Sequence, residues 1–400
     1  MRNRHRDPAW ACPPAPAAVP EFHRSLPGYA VTPLVPLPAL GRVYAKQESD
    51  RFGLPAFKAL GASWAIQQAL ESHHGAGPVT ITTATDGNHG RAVARFARQF
   101  GHRAAVWVPR GVSPAAVQAI RDEGATVTEL DGDYDAAVRA AAEAATATAA
   151  EAATAAGAPA AGSAGAGGGA GGGAGGGAGG GAGGGAGGGA GGGAGGGAGG
   201  GAGGGAGGGA GGGAGGGAGG GGLLIQDTAW PGYEQVPGWI VDGYSTLFAE
   251  LDTQLPAAPD VIVVPTGVGS LLQAALTHFR STPTATTVVS VEPTTAACVA
   301  ASVAAGEPVS VATDTTVMAG LNCGTVSSLA WPYIRAGLDC SVTVDDRAAI
   351  QAAMDLAAEG VDAGPCGAAS LAALRVLRAE GLVPPDATVV LLITEGAAAS

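Results

Sequence analysis

"RFGLPAFKALGASWA", residues 51–65, places one lysine, Lys58, inside an apolar run of small residues. The chain carries almost all of its positive charge on arginine: of 20 Lys plus Arg, only Lys46 and Lys58 are lysines. Arginine stays protonated, whereas a lysine amine can lose its proton and attack a carbonyl. A lysine kept in an apolar setting at a helix start therefore points to covalent chemistry. The plain alternative is a helix-start side chain that extends to solvent. "RVYAK" (42–46) reads as a strand before it, closed at the surface by Lys46, and a helix is expected from near Phe57.

Outward from this stretch, strands and helices alternate. "VTITTAT" (79–85), "RAAVWVP" (103–109), "TVTEL" (126–130), "DVIVVP" (260–265), "TTVVSVEP" (286–293) and "TVVLLIT" (388–394) read as strands. "GRAVARFARQF" (90–100), "SPAAVQAIRDEG" (113–124) and "SLLQAALTHF" (270–279) read as helices between them. The strands are continuous apolar runs, which suits a parallel sheet covered on both faces. The fold class is α/β, doubly wound, and ligands in such folds sit beyond the carboxyl ends of the strands.

The chain has 400 residues, 46% of them hydrophobic, enough for two domains. A net charge of −12 argues against nucleic acid or an anionic membrane as a partner. The proline-rich lead-in, residues 1–29, is expected to be disordered, and the apolar core of a signal peptide is not evident in it. No run of about 18 apolar residues suggests a membrane span. Cys12, Cys298, Cys323, Cys340 and Cys366 are widely spaced, so reduced thiols, a cytoplasmic location and no metal are expected. Cys323 and Cys340 could pair, but reduced core thiols are the better reading. From about Gly162 to Gly222 runs a GGGA repeat. Its composition cannot offset its ordering entropy, so it reads as a disordered insert between an alanine-rich helix (133–156) and the strand "LLIQD".

Three strand ends carry candidate chemistry. In "PTGVGSL" (265–271), Gly267, Val268, Gly269 and Ser270 open a helix with outward-pointing amides, a phosphate site in form, though without the GK[ST] of a P-loop. In "TATDGNHGRA" (83–92), Thr85, Asp86, Gly87, Asn88 and His89 crowd donors and a carboxylate at a helix start; Asp86 as a simple cap is the plain alternative. In "LLIQDTAWPGYEQVPGWIVDGYSTL" (223–247), Asp227 ends a buried strand beside Trp230, Tyr233 and Trp239.

Taken together, these blocks resemble the fold-type II family of pyridoxal-phosphate (PLP) enzymes, the tryptophan synthase β and threonine dehydratase group. "FGLPAFKALGASWA", "ATDGNHGRAVA", "QDTAWPGYEQVPGWIVDGY", "PTGVGSL", "VMAGLNCGTVSSLAWPYIRAG" and "ITEG" are most similar to the diaminopropionate ammonia-lyases. The resemblance implies two doubly wound sheets with the cofactor between domains, residues 30–65 and 236–400 forming the larger and 66–235 the smaller. It implies a homodimer. It makes Lys58 the residue that holds PLP as a Schiff base and Asn88 the partner of the ring hydroxyl. Gly267, Val268, Gly269 and Ser270 become the phosphate loop, and Thr394 faces the pyridine nitrogen. Thr85, Asp86, Gly87 and His89 become the seat of the substrate carboxylate. Asp86 and Asp227 become the carboxylates serving the D- and L-substrate, respectively. The implied reaction is elimination of 2,3-diaminopropionate to pyruvate and two ammonia. Two alternatives stay open: a threonine or serine dehydratase-like lyase, and a homologue that binds PLP or an amino acid but is impaired by displacement of Asp227 next to the insert. Glu395 either supports the pyridine site or ends the strand.

Overall fold

Lys58 is the first residue of a helix that begins eleven positions after an apolar strand, and that order repeats along the chain. The computed structural model describes residues 1–75, 77–85, 87–155, 222–282 and 284–399. In chain order the strands are β1 (Leu34–Pro36), β2 (Val43–Gln47), β3 (Thr80–Ala84), β4 (Arg103–Val108), β5 (Thr126–Glu129), β6 (Leu223–Leu224), β7 (Val261–Pro265), β8 (Thr287–Pro293), β9 (Cys340–Val344) and β10 (Val389–Ile393). The helices are α1 (Ala18–Ser25), α2 (Lys58–Glu71), α3 (Asn88–Gln99), α4 (Pro114–Asp122), α5 (Tyr134–Ala155), α6 (Gln235–Gly243), α7 (Ser245–Gln254), α8 (Ser270–Ser281), α9 (Cys298–Ala305), α10 (Trp331–Gly337), α11 (Asp346–Ala358) and α12 (Pro365–Ala379).

The strands form two sheets, β1-β2-β10-β7-β8-β9 and β5-β4-β3-β6. All pairs are parallel except β1 with β2. The six-stranded sheet is covered on both faces, as the apolar runs require. Val389, Leu391 and Ile393 of β10 pack with α11 and α12, while Val390 and Leu392 pack in the cluster that holds α2, α7 and α8. Each such side chain, fully buried, contributes about 1.5–3 kcal/mol. Helices α2 and α6 touch backbone to backbone at glycines: a Cβ on Gly243 would lie 2.5 Å from the Leu60 carbonyl oxygen. In the four-stranded sheet, Ala137 and Ala141 of α5 pack against Ala84, Trp107 and Leu224.

Several expectations are corrected here. The lead-in 1–29 is packed, not disordered. The Met1 ammonium donates to the Ser341 carbonyl at 2.7 Å, and Arg2 bridges Cys340 on the edge strand β9. Asn3 Nδ2 donates to the Leu338 carbonyl at 2.9 Å, and Val19 and His23 of α1 are buried. The local pattern hid this because every partner is distant in sequence. Lys46 is wholly buried rather than at the surface, its Nζ 2.6 Å from Glu250 Oε2. The strand expected to run to Asp227 pairs only over Leu223–Leu224. The larger sheet takes its strands from residues 34–47 and 261–393, the smaller from 80–129 and 223–224. A boundary at residue 65 falls inside the continuous helix α2, which cannot hinge there without losing backbone hydrogen bonds. No disulfide joins any of the five cysteines among the described residues. The described residues fall within one compact unit. The GGGA insert lies outside the described residues, except for Gly222. No helix among the described residues is long and apolar enough to cross a membrane.

Candidate active site

Register brings the candidate residues to one edge of the larger sheet. In the parallel pairing, Ile393 of β10 is level with Gln47 of β2, and Leu391 is level with Val263 of β7. The segments leaving these three strands carry Lys58, Thr394 and the Gly267–Ser270 turn, so all leave from the same carboxyl edge. Backbone bonds then tie two of the segments together. Phe57 N donates to the Thr394 carbonyl at 3.1 Å, Gly396 N donates to the Pro55 carbonyl at 2.9 Å, and Ala56 bridges Glu395. Lys58 and Thr394 therefore sit on adjacent strips of chain.

The Gly267–Ser270 turn is shaped from beneath. Ser327 N donates to the Val268 carbonyl at 2.8 Å, and a Cβ on Gly267 would lie 3.0 Å from Cys323 Sγ. Gly269 takes φ +104°, the left-handed region where glycine is at ease, and Ser270 opens α8. This leaves the amides at a helix start free of side-chain bulk, the arrangement that accepts a phosphate.

The four-stranded sheet supplies the opposite wall. β3 and β6 run in parallel with Thr82 level with Leu224, so the chain after β6 reaches Asp227 beside the loop after β3. Gln226 pins this junction. Its Oε1 accepts from Ala84 N at 2.9 Å and Thr83 Oγ1 at 3.1 Å, and its Nε2 donates to Tyr134 Oη at 2.7 Å. Tyr134, at the start of α5, donates to Asp227 Oδ1 at 3.4 Å. Trp230 and Tyr233 stack with centroids 4.3 Å apart, and the Tyr233 hydroxyl donates to the Leu224 carbonyl at 2.7 Å.

The two walls meet at Lys58 and Asp227, with Nζ 2.8 Å from Oδ2. His89 backs the carboxylate. Its Nε2 donates to the Ile225 carbonyl at 2.8 Å, and its Nδ1 faces Asp227 Oδ2 at 3.9 Å. Burial alone would raise the Asp227 pKa. The charges of His89 and Lys58 outweigh it and hold the carboxyl below the usual carboxylate range. Tyr244 lies beside Lys58; burial pushes its phenol up to about 12, with the Lys58 charge pulling the other way. A second link crosses between the sheets: Asn88 Nδ2 donates to Glu395 Oε2 at 3.0 Å.

The remaining candidates divide. Thr85 is buried, and its Oγ1 accepts from Gly87 N and Gly90 N, both at 3.0 Å. Its hydroxyl thus shapes the turn into α3 and is not presented to a ligand. His89 is likewise buried behind Asp227 and not laid open at the cleft. Asp86 lies outside the described residues. Tyr134, Gln226 and Tyr244 were not legible as site residues. Their signals were a tyrosine opening an alanine-rich helix, a glutamine beside Asp227, and one aromatic among several.

Residues 26–170 and 226–395 match the family described as pyridoxal-phosphate dependent enzymes. The chain belongs to that family. Over 359 residues it is 30% identical to a diaminopropionate ammonia-lyase of Salmonella typhimurium, covering 81% of this chain and 71% of the relative. It is similar in structure to Escherichia coli diaminopropionate ammonia lyase in complex with an aminoacrylate-PLP azomethine reaction intermediate, with TM-score 0.73 and 26% identity over 100% of this chain and 93% of that one. The same lyase in complex with D-serine matches at TM-score 0.74 and 25% identity, again over 100% of this chain and 93% of that one. The fold is therefore fold-type II, the chain is a PLP-dependent lyase, and PLP is its cofactor. The residues present fit that group: a lysine amine 27% exposed at the cleft, an amide-rich helix start, the Asn88 amide and the end of β10 at Thr394.

Proposed function

We propose that this chain is a diaminopropionate ammonia-lyase, converting 2,3-diaminopropionate and water to pyruvate and two ammonia. The observation that carries the reading is the Asp227 carboxylate facing Lys58 at 2.8 Å, kept anionic in a half-buried site. A fixed anion there attracts the second ammonium of a diamino acid, whereas threonine and serine carry no such charge. The in-register pairing of β6 also leaves Asp227 in place despite the neighbouring insert, which speaks against an impaired homologue.

Lys58 would hold the cofactor, the Gly267–Ser270 amides its phosphate, Asn88 its ring hydroxyl, and Thr394 its pyridine nitrogen. When bound, the cofactor supplies an electron sink that makes the Cα–H of an amino acid acidic. The chain's own groups do the rest. Asp227 takes the Cα proton of the L-substrate at Oδ2, Tyr134 and Gln226 hold that carboxylate at Oδ1, and the buried His89 fixes it from behind. Asp86 serves the D-substrate, and the loop Thr85–His89 receives the substrate carboxylate on its backbone, with the Thr85 hydroxyl and the buried His89 shaping the loop from within. Lys58, once displaced, is the amine nearest to Asp227 and able to exchange a proton with it.

The lyase works as a homodimer in the cytoplasm in this reading, with sedimentation of the purified protein as the check on its assembly. The activity test is the visible spectrum before and after D,L-2,3-diaminopropionate, with pyruvate release. A cofactor band that changes on mixing, with pyruvate formed, is expected. A colourless protein, or 2-oxobutyrate from threonine with no pyruvate from diaminopropionate, would overturn the assignment.

A further inference from the structure

Glu395 is a buried carboxyl two residues past the end of the last strand, where the chain enters the site. Its place is built. The Gly364 amide donates to the Glu395 carbonyl at 3.0 Å, and a Cβ on Gly364 would lie 3.0 Å from Glu395 Oε1 and 3.1 Å from its Cγ. The absence of a side chain at 364 thus makes room for the carboxylate. On the other side Oε2 accepts from Asn88 Nδ2 at 3.0 Å. Asn88 opens α3 on the smaller sheet, and Glu395 leaves β10 on the larger one, so this bond spans the cleft.

An ionised carboxylate only accepts, so it requires the NH2 end of the Asn88 amide to face it. That fixes the amide's orientation. One N–H of Nδ2 goes to Glu395, and the second is left for another acceptor. We infer that Glu395 is a positioning residue for the cofactor: it orients the Asn88 amide so that an N–H meets the PLP ring oxygen, and it places a negative charge one hydrogen bond behind that contact. This rests on the PLP reading above. The charge favours the protonated form of the bound chromophore, because a nearby anion stabilises positive charge. Other charged or titratable groups on the elements around it are Lys58 at the start of α2, Asp227 after β6, His89 next to Asn88, and Asp362, whose Oδ1 accepts from Ala397 N at 2.9 Å.

The test uses the full chain, stripped of PLP and titrated with PLP while visible absorbance is followed. Glu395→Ala should weaken PLP binding by about tenfold, the scale of one lost hydrogen bond to a charged group. Asn88→Ala with Glu395→Ala should bind no more weakly than Asn88→Ala alone, because the carboxylate acts through the amide. Glu395→Gln can still accept from Asn88, so its affinity should stay within about threefold. With the charge gone, the pH midpoint of its absorbance should fall by about one unit. An absorbance–pH curve of Glu395→Gln that superimposes on the parent overturns the proposal, as do fully additive losses in the double variant. A parent chain that binds no PLP would instead sink the family reading, which separates the two failures.

Discussion

Lys58 Nζ and Asp227 Oδ2 are 2.8 Å apart although 169 positions separate the two residues. One stands at the first turn of α2, and the other lies just after β6, so the pair joins the walls of the cleft. The pairing also sets charge. With Lys58 protonated, Asp227 stays anionic; a lysine that gives up its proton to become a nucleophile has a carboxylate at hydrogen-bond distance to receive it.

Lys58→Ala should therefore abolish the borohydride-reducible lysine adduct and reduce turnover to background. The check is peptide mapping after reduction with PLP bound. An adduct on Lys46 would refute the assignment, and the structure argues against it, since Lys46 is buried against Glu250.

The two carboxylates should separate the enantiomers. A labile Cα–H lies perpendicular to the cofactor plane, and mirror-image substrates bound alike present it on opposite faces. Asp227→Asn should lower kcat/KM for the L-form by about 10²–10⁴-fold, the range for loss of a general base. Asp86→Asn should do the same for the D-form. Pyruvate release from each pure enantiomer is the measurement. Equal losses on both forms in both variants would make the carboxylates substrate-binding groups instead.

Acid sensitivity should come from the cluster behind the Lys58 loop. Glu250 is paired with Lys46 at 2.6 Å and with Arg51 Nη1 at 2.6 Å, and Arg51 also reaches Glu48 at 2.7 Å. Burial alone would raise the Glu250 pKa, but Arg51 and Lys46 bring it down to about 2. A carboxyl whose folded pKa is depressed contributes stability above its unfolded pKa and loses it as pH falls toward the folded value. The span from 4.5 to about 2 corresponds to about 3 kcal/mol. Glu250→Gln should thus lower stability by about 3–5 kcal/mol at neutral pH, because Lys46 and Arg51 lose their buried partner. It should also flatten the pH dependence of denaturant midpoints below pH 4.5. An unchanged acid limb would show that other carboxylates govern it.

The insert should be replaceable. A Cβ on Gly222 would lie 2.8 Å from the Ala145 carbonyl oxygen, so the start of β6 already adjoins α5. From there α5 continues to Ala155, about 15 Å further along the helix. A connection of about six to eight residues can return over that distance. Replacing 156–221 with such a linker should leave PLP content and melting temperature unchanged. Loss of soluble protein would assign those residues a structural role.

What the sequence determined was local in origin. Continuous apolar runs such as "VIVV" and "VVLLI" announced buried parallel strands, and one lysine among arginines marked the site. The carboxyl-edge rule then made the turns after β3 and β7 the places to look. Tertiary structure alone decided the relationships whose two halves lie far apart in the chain. Lys46 and Glu250 each look like surface charges until a partner some two hundred residues away removes both from water. Asn3 and His23 sit in a lead-in with no local periodicity, yet the end of α10, α2 and α7 supply their hydrogen bonds. Tyr134, Gln226 and the Asn88–Glu395 bond became visible only where the sheets meet. A side chain's burial and charge state depend on what is packed against it, and that packing is set by the whole fold rather than by neighbouring residues.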